Sequence, residues 1–343
     1  MSSAVLGQTS PRIEVLAHHC AWYQIPWDLI PYTMPLKGLY NSNDPIVAAL
    51  QNEEKIQYGI GVDVVSWPGP LHTQENALLS GLCQTYNFSA RKFCFLYEII
   101  PLLGDGPIYD FSDPVLREKF LFHVDYISQF SSAFPNYYRI NNRPVVYIWT
   151  GEFRNFQEVS ALARQKIYLV GPLPILFPPS PSAQEYIQNF KCFDALTSYG
   201  IDPVYLAQKY NGELNWEAIQ EFAVATLKWD TILKVFAPQT DLFISLQFAY
   251  HDNRGDIDAK TGKTRILTST KEQAELMAKT VQSLTLATGR TKVFIVSYNE
   301  HFEGTSVEPS FEQGDWWLQL IKKYLVIEPK IDDPDSPSGP HKP

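Results

Sequence analysis

Glu300 and Glu303 stand three residues apart in Ser297-Tyr-Asn-Glu-His-Phe-Glu-Gly304. Two carboxyl groups held close can divide acid–base work between them. Glycoside hydrolysis uses such a pair: one carboxylic acid protonates the leaving oxygen while a second carboxylate acts on the reacting sugar. On a helix-like turn, residues three apart face one side, with Cβ atoms roughly 5–6 Å apart. That overlaps the spacing of about 5–5.5 Å between the carboxyl groups of retaining enzymes. Crowded carboxylates also push their apparent pKa values apart, so that one keeps its proton. Taken alone, an E-x-x-E is ordinarily a solvated surface turn, and its weight depends on what positions it. Glu308, five residues on, reads as a supporting partner.

The elements that must position the pair are legible as short β-rich apolar runs. They are Ile13–His19, Ile60–Ser66, Lys92–Glu98, Pro144–Trp149, Lys166–Gly171, Phe193–Tyr199, Leu242–Phe248 and Val293–Tyr298. Continuous apolar runs suit parallel strands buried on both faces. Helical patterns lie between them. Asp44-Pro45 and Asp113-Pro114 each set a capping acceptor before a proline at the first helical position. Thr270 with Gln273 reads as a capping box ahead of Glu272 to Ala287, and Gly289 as its stop. Asn215 is expected to cap a helix with Trp216, Ile219, Phe222 and Ala223 on one face.

Eight strand–helix repeats predict an α/β protein, a single-domain (β/α)8 TIM barrel over 13–325. Residues 1–12 read as an N-terminal extension. The Pro- and Asp-rich segment 326–343 reads as a disordered tail or linker. A doubly wound open sheet is the alternative, because periodicity does not show closure.

In a barrel, active sites lie at the C-terminal ends of the strands. The polar residues there are Trp22 and Tyr23, Trp67, Glu98, Tyr147, Tyr199, Tyr250 and His251, with Asn299 beside the glutamate pair. They are the expected substrate-binding set around Glu300 and Glu303. Tyr147 and Tyr199 read equally well as core aromatics. The segment from Cys20 to Asn43, between the first strand and its helix, is long and aromatic. Long loops of this kind are more often functional than accidental. Aromatic residues make up 14% of the chain, which suits either an aromatic core or a cleft whose rings stack on sugars.

Other chemistries find less support. The net charge of −9 and the lack of a Lys/Arg run argue against nucleic acid and anionic membranes as partners. No apolar stretch is long enough for a transmembrane helix, and residues 1–10 lack the charged and apolar regions of a signal peptide. Localisation is therefore open, since a signal removed beforehand would leave the same sequence. Asn87-Phe88-Ser89 is a glycosylation sequon that matters only in a eukaryotic secretory setting. Cys20, Cys83, Cys94 and Cys192 show no metal-type spacing. His18 and His19 are neighbours on a strand, so at most one points into the mouth. No metal or cofactor is expected. Gly59-Ile-Gly61 precedes a strand and lacks the third glycine of a dinucleotide fingerprint.

The run Phe294-Ile-Val-Ser-Tyr-Asn-Glu-His-Phe-Glu-Gly-Thr-Ser-Val-Glu-Pro309 resembles glycoside hydrolase family 99, the endo-α-mannosidases and α-mannanases. Asn299, Glu300, Glu303, Gly304, Thr305, Glu308 and Pro309 match its S-F-N-E-W-H-E-G-T-x-I-E-P pattern in register. Looser matches follow in order: Ala21-Trp22-Tyr23, Gly61 to Trp67 with Gly69, Phe95 to Glu98, Arg143 to Tyr147, and Phe193 to Tyr199. The resemblance spans about Ile13 to Leu325. It implies a metal-free retaining barrel that acts through a 1,2-anhydro sugar. Glu300 would then serve as base on the 2-hydroxyl, and Glu303 as acid and then base at the leaving group. Tyr199 would lie beside the reacting sugar, and Glu98 would bind hydroxyls. Two departures stand out: His301-Phe302 replaces the Trp-His of the pattern, and Glu98 is followed by Ile99-Ile100-Pro101.

The expected partner is thus an oligosaccharide or polysaccharide, an α-mannoside first and a microbial exopolysaccharide or coat glycan next. The rival readings are a non-catalytic carbohydrate-binding or polysaccharide-assembly protein on the same barrel, and a metal-dependent barrel hydrolase.

Overall fold

A computed structural model describes residues 12–27, 30–70, 91–98, 108–149, 152–177, 188–251, 255–257 and 262–326. Cys83, the sequon at Asn87, Ile99-Ile100-Pro101, most of the N-terminal extension and nearly all of the tail lie outside them.

Eight parallel strands form the centre: β1 (Glu14–His19), β2 (Val62–Trp67), β3 (Lys92–Tyr97), β4 (Arg143–Ile148), β5 (Tyr168–Pro172), β6 (Ala195–Thr197), β7 (Asp241–Leu246) and β8 (Lys292–Ile295). Each pairs with the next in sequence, and β1 pairs with β8, so the sheet closes into a barrel. Leu16 lies opposite both Val62 and Phe294 at that closure. All eight expected runs are present and the open-sheet alternative is excluded. Their apolar continuity has the expected cause, since every residue of β2 is buried.

The helices begin where the caps placed them. In α1 (Pro45–Gln57), Asp44 accepts from Ile46 N at 2.8 Å. In α2 (Pro114–Ser132), Asp113 accepts from Val115 N at 2.9 Å. Then come α3 (Gln157–Ala163), α4 (Pro203–Lys209) and α5 (Trp216–Phe236), the last capped by Asn215 on Ala218 N. The capping box of α6 (Lys271–Thr288) makes both of its bonds, and Gly289 ends the helix at φ 73°. α7 (Trp316–Leu325) completes the layer. Trp216 departs from expectation. At the first position of α5 it is 55% exposed, while Ile219 and Phe222 carry the buried face.

Strand parity sets what reaches the site. His18 and His19 do point to opposite faces. His18 meets Ser66 of β2 at 2.8 Å inside the barrel. His19 points outward to Lys55 of α1 at 2.7 Å. Lys55 pairs in turn with Asp63 at 3.0 Å, and Asp63 with Arg91 at 2.6 Å. Burial lowers the Lys55 ammonium to about 7, with Asp63 opposing that shift. This buried charge group ties α1 to the outer face of β1 and β2, below the loop that enters the mouth.

Candidate active site at the barrel mouth

Both glutamates follow β8, Glu300 just before and Glu303 within an irregular turn over residues 301–304, and neither is on a helix. The turn is braced from beneath by Glu308. Its Oε2 accepts from Tyr40 OH at 2.8 Å and pairs with His301 Nε2 at 2.8 Å. Its Oε1 accepts from Gln51 Nε2 at 2.9 Å and lies 3.3 Å from Lys37 Nζ. Burial alone would raise this carboxyl, but His301, Lys37 and Gln51 overcome it and hold Glu308 at about 2. His301 also meets Thr33 Oγ1 at 2.9 Å through Nδ1. At the far end of the turn, Gly304 has φ 60°, and a Cβ there would lie 2.5 Å from the Tyr32 ring.

Glu300 is 8% exposed. Its backbone N donates to Ser297 Oγ at 2.7 Å. Its Oε2 accepts from the Cys20 thiol at 3.0 Å and its Oε1 from Phe302 N at 3.3 Å. Burial raises its proton affinity above the ordinary carboxylate value, and these donors only partly offset that. Glu303 is half-buried, and its carbonyl accepts from His251 N at 2.7 Å.

The other mouth residues gather around a phenol. Tyr199 OH meets His18 Nδ1 at 2.9 Å, and the two rings meet edge-on at 5.2 Å. Burial lowers His18 to about 3, so its ring is neutral. One nitrogen then donates and the other accepts between Ser66 and Tyr199. The Tyr199 phenol is pushed well above its ordinary value, first by burial and then by Cys20, Glu303, Glu300 and Glu98. Glu303, Glu300 and Glu98 thus each add to the effect of burial on this phenol. Trp149 lies edge-on to Tyr199 at 6.0 Å, and the half-buried Trp22 ring lies 6.5 Å from His18.

Further expected residues sit beside this centre. Tyr23 is buried behind Glu300, with its OH donating to Asn299 O at 2.7 Å and its ring stacked on Trp27 at 4.2 Å. Tyr250 and His251 pair antiparallel with Leu267 and Ile266. His251 Nε2 bonds Asp256 at 2.9 Å, and its ring packs on Tyr32 at 4.1 Å.

Three of the expected residues lie buried among protein. Trp67 is fully buried on the outer face of the sheet, stacked on Phe95 at 5.0 Å and Tyr126 at 5.7 Å. Ser66 points inward, so its neighbour points out. Tyr147 does face inward, but it lies within the core, 5.1 Å from Phe294 and 6.0 Å from Phe243. Asn299 is fully buried and uses its amide on protein: Oδ1 accepts from Cys20 N at 2.7 Å, and Nδ2 donates to Cys20 O at 3.0 Å and Tyr40 OH at 3.1 Å. The Trp67 ring and the Asn299 amide thus meet protein, while the buried Tyr147 hydroxyl has no hydrogen-bond partner.

Reading for chemistry by residue type placed His18 and Ser66 at strand ends but missed Cys20, which joins them at the site. Strand parity was the signal that finds it, since 18 and 20 share the inward face of β1 and its extension. Among the described residues, no group of three or more His, Cys, Asp and Glu is arranged to hold a metal ion. No described helix is long and apolar enough to cross a membrane.

Several solved structures share this architecture. One is the family 99 endo-α-mannosidase of Bacteroides thetaiotaomicron in complex with bis-tris-propane, with a TM-score of 0.64 and 17% identity over 91% of this chain and 96% of that one. The fold resembles that of glycoside hydrolase family 99. A glycoside hydrolase-like protein gives a TM-score of 0.71 at 16% identity, over 94% of this chain and 96% of its own. The cellulose synthase subunit Z of Clostridioides difficile gives 0.55 at 8% identity, over 92% and 100%. No protein-family model and no curated protein matches the sequence. At these identities the likeness is one of fold.

Proposed function

We propose that this protein is a retaining glycoside hydrolase that cleaves within an α-mannoside or a related polysaccharide. The observation that carries this reading is the placement of Glu300 and Glu303 after β8 at the C-terminal mouth of the barrel, with Glu300 buried against Cys20 and Tyr199 bonded to His18 on the inward side of β1. Glycosidic cleavage needs an acid and a base on either side of the reacting bond. Glu303, the less buried of the pair, is the acid that protonates the leaving oxygen and then the base that activates water. Glu300 takes the proton of the sugar's 2-hydroxyl, whose oxygen attacks C1 to give a 1,2-anhydro sugar. The burial that raises the proton affinity of Glu300 also makes its carboxylate the stronger base. Glu98 binds sugar hydroxyls, and the rings of Trp22 and Trp149 supply flat apolar surface.

The test is a screen of α-mannans and microbial exopolysaccharides with the wild type, Glu300→Gln and Glu303→Gln, reading products by mass. Each variant is expected to lose roughly 10²–10⁴-fold in kcat with an unchanged circular dichroism spectrum. The newly formed reducing end is expected to keep its anomeric configuration by NMR. Near-normal turnover in both variants, or an inverted anomer, would overturn the reading. Binding without cleavage by the wild type would point to a carbohydrate-binding or polysaccharide-assembly role.

A further inference from the structure

The chain leaving β1 brings a thiol against one carboxylate of the candidate pair. Cys20 is fully buried, and its Sγ lies 3.0 Å from Glu300 Oε2. The thiol does not sit there by accident of a loose loop. Asn299, the residue before Glu300, brackets the backbone of Cys20, accepting from its N–H and donating to its carbonyl. The two residues are therefore fixed relative to each other through main-chain and side-chain bonds. The other carboxylate oxygen, Oε1, accepts from Phe302 N and faces Tyr23 OH at 3.5 Å. That phenol makes its shorter bond elsewhere, to Asn299 O.

Two donors thus bond Glu300, the Phe302 N–H and the Cys20 thiol, and the side chain of the two is a weak donor. A thiol is a poor hydrogen-bond donor. A hydroxyl in its place would form a charge-assisted O–H···O⁻ bond of roughly twice the strength of a neutral one, and would draw down the basicity of the carboxylate. Burial first, then Glu300, Glu98 and Glu303, hold the thiol protonated and so able to donate. The titratable groups around the contact are His18 of β1, whose Nε2 lies 4.0 Å from the Cys20 sulfur and whose ring burial keeps neutral, Cys20 and Tyr23 from the β1 extension, Glu98 after β3, Tyr199 after β6, and His301 and Glu303 on the turn itself.

We propose that Cys20 is a positioning residue for Glu300, donating its S–H to Oε2 to fix the rotation of the carboxylate while leaving its negative charge available to a sugar hydroxyl. This rests on the glycosidase reading for its consequence but not for its geometry.

The experiment has two arms. In the first, the infrared S–H stretch is recorded for the wild type, Cys20→Ser and Glu300→Gln without any ligand. The band lost in Cys20→Ser is expected at the lowered frequency of a bonded thiol, and it should rise in Glu300→Gln. Should Cys20→Ser fail to fold, the difference between the wild type and Glu300→Gln still isolates the band. In the second arm, kcat/KM on an α-mannan oligosaccharide is followed against pH. Cys20→Ser should move the acid limb to lower pH and Cys20→Ala to higher pH, each by up to about one unit, and Cys20→Ala should lose up to about tenfold near neutrality. A structural role alone would not move the limb in opposite directions. An acid limb common to all three proteins, or a band indifferent to Glu300→Gln, overturns the proposal. Wild-type protein that cleaves no glycan refutes the glycosidase reading, and the infrared arm then still decides the contact.

Discussion

Replacing Glu308 by glutamine tests the brace under the candidate site. The carboxylate lies fully buried with four donors around it, two on each oxygen: Tyr40 and His301 on Oε2, and Gln51 and Lys37 on Oε1. An amide has one acceptor oxygen, so in either orientation its NH₂ faces two donors. The carboxyl is held at about 2 against an ordinary 4.5. At ~1.4 kcal/mol per pH unit, that difference corresponds to about 3 kcal/mol of stabilisation from the ionised form. The folded-state value is depressed, so the contribution is complete above the ordinary carboxylate value and is lost as pH falls toward 2. Urea unfolding of the wild type and Glu308→Gln should therefore show a gap of about 3 kcal/mol near pH 7, narrowing steadily below about pH 4. A gap under about 1 kcal/mol at neutral pH, or one that does not change with pH, would refute the reasoning. Because His301 joins this brace to the turn, kcat on any cleaved glycan should fall with it.

Other consequences follow from the same geometry. Burial raises Glu300, and a base works only when deprotonated, so activity should appear as pH rises through a value above the ordinary 4.5; an acid limb of kcat/KM at or below that value would count against Glu300 as the base. Trp67→Ala should cost about 3–5 kcal/mol in unfolding free energy yet leave KM for a glycan unchanged, whereas a raised KM with normal stability would return Trp67 to the site. Gly304→Ala places a side chain at a left-handed φ, costing roughly 1–2 kcal/mol, and drives a Cβ into the Tyr32 ring. Its melting temperature should drop, and an unchanged one would show that Tyr32 yields freely.

What the sequence determined by itself was local. Eight apolar runs and their intervening caps are properties of neighbouring residues, so the strands, the helix starts at Asp44, Asp113 and Thr270, and the place of Glu300 and Glu303 after the last strand were all readable. Parity along one strand also separated His18 from His19, and applied to Ser66 it would have turned Trp67 outward. Strand ends shifted by up to three residues, as at β8, which stops at Ile295 and not at Tyr298, because pairing with both neighbours decides where a strand stops.

Closure of β1 onto β8 was decided only by tertiary structure, and the site depends on it. Cys20 reaches Glu300 across 280 residues of chain and Asn299 across 279, a distance no periodicity encodes. Closure also determined how polar side chains spend their bonds. Asn299 carries the polarity of a ligand-binding residue, yet the neighbouring β1 extension takes up its amide, and the Tyr147 ring packs against Phe243 and Phe294. The glutamate pair was visible from residue type and position. That Glu300 is buried against a thiol, and Glu308 clamped beneath it, follows from packing two ends of the chain side by side.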